Sequence, residues 1–285
     1  MSRCPVCGNG SAPLCRVGAW TYLSCPSCGV AWLDGVAGAP EAPALYDEAY
    51  FRGAAHGGYP DYLADEELHR RNARDRLGWI SEAGLAVPGA LLDVGCAAGF
   101  VLDEARIAGW RVAGVDLSPF AIRVARDRFG LRVWGRLAEV DAPDGTFDVV
   151  TFFQVLEHMP DPAAALAKAA RLLRPGGLLL VETWDRDSLV ARWLGRLWQQ
   201  VTPPSVVFLF GRESLGRLLA VSGFGEITSR AVAKRVRLRH ALALLADKHP
   251  RLLGPVARGA ARLRLDRLAV PYRLGDLVIV TAIRR

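Results

Sequence analysis

The hydrophobic pattern changes character along the 285 residues. The first forty positions hold few large apolar side chains, and Trp20-Thr-Tyr-Leu-Ser24 is their clearest strand. From Ala90 short apolar runs alternate with amphipathic stretches. Ala90-Leu-Leu-Asp-Val-Gly95 predicts a buried parallel strand, Phe100 to Ala108 a helix stopped by Gly109, and Arg111-Val-Ala-Gly-Val-Asp116 a second strand. Ser118 reads as an N-cap with Pro119 at the first helical position, and that helix ends near Gly130. Leu131 to Trp134, Phe147 to Phe153 and Leu178 to Glu182 predict three more strands, with a helix from Pro162 to Leu173 closed by Arg174-Pro-Gly-Gly177. Strand and helix alternating at this spacing imply an α/β fold, a doubly wound parallel sheet.

Composition agrees: 51% hydrophobic and 23% charged residues describe a globular chain. The uncharged run from Leu197 to Phe210 contains Gln199, Gln200, Pro203 and Pro204 and is too short to span a bilayer. With no signal-peptide pattern at Met1-Ser-Arg-Cys-Pro, a cytoplasmic location is the expectation. The net charge of +7 is uneven. Residues 230–285 carry 14 basic side chains against Asp247, Asp266 and Asp276, while the preceding part is slightly acidic. This basic stretch is either a solvated face or a surface for RNA, an anionic membrane or an acidic ligand.

Five of six cysteines fall in the first 28 residues. Cys4-Pro-Val-Cys7-Gly and Cys25-Pro-Ser-Cys28-Gly repeat one pattern, in which a tight turn aims two thiolates at one ion. Together Cys4, Cys7, Cys25 and Cys28 form the closed four-thiolate set of structural Zn2+, a zinc ribbon, with Cys15 a bystander. The metal would supply stability that so small a core lacks.

Ligands of doubly wound sheets bind beyond the strand carboxyl ends, here Asp93 to Gly99, Asp116 and Gln154 to His158. The loop Gly95-Cys-Ala-Ala-Gly99 matches neither the dinucleotide fingerprint nor the P-loop. It still turns backbone N–H groups toward an anion such as a carboxylate. Asp116, 17 residues after Gly99, is placed to accept both ribose hydroxyls. The pair suits a nucleoside whose charged group is small and not a phosphate.

With these residues in place, the sequence resembles the class I S-adenosylmethionine-dependent methyltransferases, whose fold is a Rossmann-like seven-stranded sheet. The resemblance rests on Leu92-Asp-Val-Gly-Cys-Ala-Ala-Gly99, Val115-Asp-Leu-Ser-Pro119, Phe147-Asp-Val-Val150, Val155-Leu-Glu-His-Met-Pro-Asp-Pro162 and Leu172-Leu-Arg-Pro-Gly-Gly177. It implies S-adenosylmethionine as cofactor, with Gly95, Cys96, Ala97 and Gly99 at its methionine part and Asp116 on the ribose. Leu117 and Leu137 would flank adenine, and Gln154 would border the methyl group. Asp93 would either steady the loop or touch the cofactor. Tyr46 and Tyr50, four apart on one helix face, would either close over the cofactor or pack the ribbon. The resemblance also places an acceptor pocket among Trp184, Trp193, Trp198, Phe208 and Phe210, a helix near Arg212-Glu-Ser-Leu215 and a last strand over Leu274 to Thr281.

Methyl transfer asks the protein chiefly for alignment, plus a base where the acceptor keeps its proton near neutral pH. His158 is the candidate base; otherwise it caps a helix or packs beside Pro160. His56 lies in a glycine-rich segment that reads as a lid. The expected organisation is a zinc ribbon over 1–40, a helical lid or linker over 41–89 and a cofactor domain over 90–285. Residues 230–272 would be a basic helical insertion outside the cofactor motifs. The favoured function is methylation of a small molecule, a sugar or natural-product scaffold, on oxygen or carbon. An rRNA base methyltransferase is the alternative, although its zinc module would carry His as fourth ligand and its Asn/Asp-Pro-Pro-Tyr motif is replaced by Gln154-Val-Leu-Glu157. A non-catalytic scaffold is the third reading.

Overall fold

A computed structural model describes residues 3–36, 43–53, 58–85, 88–242, 250–263, 265 and 268–285. Its centre is a mixed sheet built from β4 (Ala90–Val94), β5 (Arg111–Val115), β6 (Val133–Trp134), β7 (Phe147–Phe153), β8 (Leu173–Trp184), β10 (Phe224–Ala231) and β13 (Leu277–Arg284). Their order is β10-β13-β8-β7-β4-β5-β6. β4, β5, β6, β7 and β8 run parallel, and β13 is antiparallel to both β8 and β10. The central strands carry continuous runs of buried Leu and Val because both faces are covered, with Asp93, Thr151 and Glu182 among the buried polar exceptions. The sheet is the doubly wound one expected. β4 is flanked by β5 on one side and β7 on the other, so the winding reverses there. The crevice at such a switch point is where these sheets bind ligands.

Local signals set the connections. Ser118 Oγ accepts from Ala121 N at 3.3 Å, opening helix α4 (Pro119–Phe129) with Pro119 in its first turn, and Gly130 ends it in the left-handed conformation. Asp161 caps α5 (Pro162–Leu172) in the same way. Arg174 to Gly177, expected as a closing turn, is instead the start of β8: Leu173 already pairs with Phe147.

The N-terminal strands β1 (Ala12–Val17), β2 (Trp20–Ser24) and β3 (Ala31–Leu33) do not stand apart from this body. β3 pairs antiparallel with β9 (Phe208–Leu209), so one four-stranded sheet joins the N-terminal strands to the segment that follows β8. Tyr22 is fully buried and donates to the Val206 carbonyl at 2.5 Å. Arg186 and Arg217 donate to the carbonyls of Gly29 and Ser27.

Two expectations need correction. Residues 230–272 do not form one helical insertion. Arg230 still lies in β10, and β11 (Lys234–Arg237) pairs antiparallel with β12 (Ala269–Tyr272). Helix is described there at 238–242 and over Pro250–Arg262, and 243–249 lie outside the described residues. Nor do Tyr46 and Tyr50 share a helix. Tyr46 ends the 3-10 turn Pro43–Tyr46, and Asp47 then caps a new helix, α1 (Glu48–Phe51), by accepting from Tyr50 N. A capping aspartate between them breaks the register that a continuous helix would have imposed.

Candidate active site

A cavity of about 500 Å³ opens at the switch point. The loop after β4 and the ends of β5 and β7 form its floor, bringing together Asp93, Gly95, Cys96, Ala97, Asp116, Leu117, Leu137, Gln154 and His158. Tyr46 and Tyr50 join them from the N-terminal side. Gly99 lies one residue before helix α3 (Phe100–Ile107), whose first residue lines the same space.

The floor is fixed by backbone contacts. Gly95 N and Cys96 N both donate to the Val115 carbonyl, at 2.7 and 3.0 Å. Asp116 Oδ2 accepts from Ala97 N at 2.8 Å and Oδ1 from Ser118 N at 2.9 Å, so one carboxylate ties the glycine loop to the next strand end. Burial pushes the Asp116 carboxyl above its ordinary pKa, against the pull of these two amides. Asp93 is more deeply set; Thr151 Oγ1 donates to it at 2.7 Å, and burial raises its pKa to about 7. Ala97 and Gln154 both hold positive φ, at 47° and 60°, although neither is glycine. Such strained backbone is retained where the surroundings over-determine it, commonly at functional sites.

Gly95 has φ +78°, and a Cβ there would sit 2.1 Å from Val155 Cγ2. Gly95→Ala is therefore expected to cost about 1–3 kcal/mol of folding stability and to displace the loop. Denaturant unfolding of both proteins measures it; an unchanged midpoint would contradict this packing.

Half of the wall was not foreseen. It comes from helix α2 (Glu66–Glu82), the tyrosines before it and β11. Rings form a continuous edge-to-face chain, Tyr46 to Tyr50 at 5.3 Å, Tyr50 to Tyr59 at 5.9 Å and Tyr59 to Tyr62 at 4.9 Å. Tyr62 stacks on His69 at 4.0 Å and Tyr59 on His240 at 5.0 Å. Burial pulls these histidines down to about 3 and about 4, so both are neutral rings at physiological pH. Arg76 Nε meets Glu182 Oε2 at 2.6 Å and covers the Phe153 ring. Although burial opposes it, Arg76 holds the Glu182 carboxyl below its ordinary range. Gln154 Nε2 donates to Glu182 Oε1 at 2.5 Å, and Lys234 Nζ donates to Gln154 Oε1 at 2.7 Å. His69, Asn72 and Arg76 recur at helical spacing on one face of α2, a signal that could have shown them in advance.

The aromatic residues after the fifth parallel strand are not this pocket. Trp198, Phe208 and Phe210 are fully buried in the core and Trp193 is 84% exposed. Trp184 backs the cavity only through Lys234, whose Nζ is 4.7 Å from its ring centroid. The basic segment is not outside the site either. Arg237 and Arg239 converge on Asp65 at 2.9 and 2.6 Å, Arg235 meets Asp75 at 2.8 Å, and Arg230 meets Glu82. His158 lies in a 3-10 turn, its Nδ1 2.6 Å from the Ser205 carbonyl, an acceptor that fixes the Nδ1–H tautomer and leaves Nε2 with a lone pair. His56 lies outside the described residues.

A family model described as a methyltransferase domain matches residues 65–228, more than half of the chain. The chain belongs to the methyltransferase-domain family. Among curated relatives of this methyltransferase-domain chain, the ubiquinone biosynthesis O-methyltransferase of Bordetella bronchiseptica is 37% identical over 120 residues, 39% of this chain and 50% of that protein. The Thiobacillus denitrificans protein of the same description is 35% identical over 147 residues, 49% of this chain and 63% of that one. The chain thus spans about half to three fifths of these relatives. Solved structures share the methyltransferase fold. A SAM-dependent methyltransferase from Archaeoglobus fulgidus aligns with TM-score 0.53 at 16% identity, over 78% of this chain and 99% of that one. The YcgJ protein of Bacillus subtilis aligns with TM-score 0.54 at 16% identity, over 74% and 99%.

A second constellation lies away from the cavity. One sulfur each from Cys4, Cys7, Cys25 and Cys28 falls within 4.8 Å of all the others. Cys4 and Cys28 Sγ are 3.6 Å apart, Cys7 and Cys25 Sγ 3.4 Å. A tetrahedral zinc with Zn–S bonds of about 2.3 Å places its sulfurs about 3.8 Å apart, so the four thiols fit such an ion. Gly8 and Gly29 follow the two knuckles with positive φ, closing each turn as expected. Cys15, on β1, is not part of the group.

Proposed function

We propose that this protein is an S-adenosylmethionine-dependent O-methyltransferase acting on a small-molecule hydroxyl. The observation that carries the reading is the single cavity in which the glycine loop, Asp116 and an aromatic-walled acceptor space meet. The O-methyltransferase relatives support it. When bound, the cofactor supplies a methyl already activated on a sulfonium. The loop of Gly95, Cys96, Ala97 and Gly99 would receive its methionine part, with Asp93 behind it. Because the N–H groups of these four residues are donated to Val115, Asp116 and Cys96, the loop offers carbonyls to the amino group rather than the expected N–H groups to the carboxylate. Asp116 accepts from the ribose, and Leu117 and Leu137 flank the adenine. Gln154 borders the methyl, while Tyr46 and Tyr50 cover it. His158 Nε2 takes the acceptor's proton, Nδ1–H being committed to Ser205. In the ribbon, Cys4, Cys7, Cys25 and Cys28 hold zinc in a structural role, since four thiolates leave no open coordination position.

Of the basic side chains that suited the RNA reading, Arg230, Arg235, Arg237 and Arg239 are drawn into ion pairs within the chain. Among the described residues no helix is long and apolar enough to cross a membrane.

Calorimetry with S-adenosylmethionine and transfer of labelled methyl to a panel of hydroxylated small molecules test the proposal. His158→Asn is expected to lower kcat by about 10²–10⁴-fold with little change in cofactor affinity. Wild type that neither binds S-adenosylmethionine nor labels any acceptor would refute it.

A further inference from the structure

Lys234 opens β11 and faces the same cavity as Gln154, from the opposite side of the chain's sequence. Its Nζ is held by the Gln154 amide oxygen at 2.7 Å and by the face of Trp184 at 4.7 Å. Those contacts fix the ammonium without neutralising it. The arginines that line the cavity are matched at contact: Arg76 by Glu182, Arg235 by Asp75 and Arg237 by Asp65. Lys234 instead meets an amide and a ring, and it keeps donors to spare, since an ammonium has three. Holding a cation away from water is costly unless an anion completes the site. Burial accordingly pulls its pKa down to about 8 against the pull of Glu182, Glu157 and Asp276, none of which forms an ion pair with it among the described residues, so the group still carries its charge at neutral pH.

The remaining walls describe the anion's carrier. Tyr46, Tyr50, Tyr59, Phe153 and His240 line the cavity, an aromatic wall that suits a flat ring more than a flexible polar chain. Gln154, whose side chain anchors Lys234, stands at the end of β7 beside the proposed transfer position. An oxygen bound by Lys234 would therefore neighbour the hydroxyl being methylated.

We propose that Lys234 selects the acceptor: a planar hydroxylated ring bearing an anionic oxygen, carboxylate or phenolate, that pairs with Lys234 Nζ while the ring lies among the cavity tyrosines. This rests on the O-methyltransferase reading, which makes Gln154 the neighbour of the transferred methyl.

The test is calorimetry on the full chain loaded with S-adenosylhomocysteine, using protocatechuate, its neutral amide and nitrocatechol. Wild type is expected to bind protocatechuate at least about tenfold more tightly than the amide, a size typical of a desolvated charge pair. Lys234→Met and Lys234→Gln should bring that ratio to within about twofold of unity while S-adenosylhomocysteine affinity stays within about twofold of wild type. If nitrocatechol follows protocatechuate, any anionic oxygen satisfies the lysine; if it follows the amide, the carboxylate is required. Equal binding of acid and amide by wild type, binding of neither, or a preference that survives in both variants would overturn the proposal. So would loss of S-adenosylhomocysteine from both variants, which would assign Lys234 to the cofactor's own carboxylate. Wild type that fails to bind S-adenosylhomocysteine sinks the O-methyltransferase reading and the proposal with it, a failure seen before any acceptor is added.

Discussion

Asp116→Ala is expected to weaken S-adenosylmethionine binding by about a hundredfold to ten-thousandfold. The aspartate serves two masters. Its oxygens accept from Ala97 N and Ser118 N at 2.8 and 2.9 Å, which fixes the approach of the glycine loop and the entry to α4. Each oxygen also has a second lone pair, and these are the acceptors proposed for the ribose hydroxyls. Hydrogen bonds to a charged group contribute about 1.5–3 kcal/mol each, so losing two from the cofactor alone corresponds to about 3–6 kcal/mol. Alanine also leaves two amides without their acceptor. Asp116→Asn keeps the shape and one carbonyl oxygen but turns an NH2 group toward a donor, and an intermediate loss is expected. Calorimetry decides, with a melting curve to show that both variants fold. An alanine variant that binds like wild type would remove Asp116 from the cofactor site.

Loss of the zinc proposed for the four thiolates is the second change with a large expected effect. Structural four-thiolate sites bind with an apparent free energy of about 10–16 kcal/mol, and where the module is small that energy is its folding energy. Chelation or Cys25→Ser should therefore unfold the ribbon. The consequence should reach the cavity, because β3 pairs with β9 and Tyr22 holds the Val206 carbonyl. Ser205, next in the chain, carries the carbonyl that orients His158. A fall in melting temperature and a fall in methyl transfer should appear together, with Cys15→Ser as a silent control. Metal analysis, thermal melts and initial rates on the same samples measure this. Metal-free protein with unchanged melting and rate would exclude a structural metal.

Much of the sheet was legible because its signals are local. Ser118-Pro119, Asp161-Pro162 and Gly130 mark helix ends by their own chemistry, and Leu91, Leu92, Val149 and Val150 read as buried strand without knowledge of their partners. The two Cys-Pro-x-Cys-Gly turns were legible for the same reason. What failed depends on contacts distant in sequence. Lys234 meets Gln154 across 80 residues and Arg76 meets Glu182 across 106, and no period or spacing records such pairs. The arginines of the basic segment looked like free charge until Asp65, Asp75 and Glu82 were found opposite them. Aromatic density misled as well: Phe208 and Phe210 stack on each other at 5.5 Å inside the core, and composition does not tell a packed ring from one that lines a cavity.

Val206-Val-Phe-Leu-Phe210 is an uninterrupted run of β-forming apolar residues, every one of them buried. Its hydrogen-bonding partner is Ala31–Leu33, part of the ribbon. Without that partner the run would be an open strand edge of the kind that recruits other molecules of the same protein. Loss of the ribbon should therefore show as turbidity on expression, alongside the fall in melting temperature and methyl transfer.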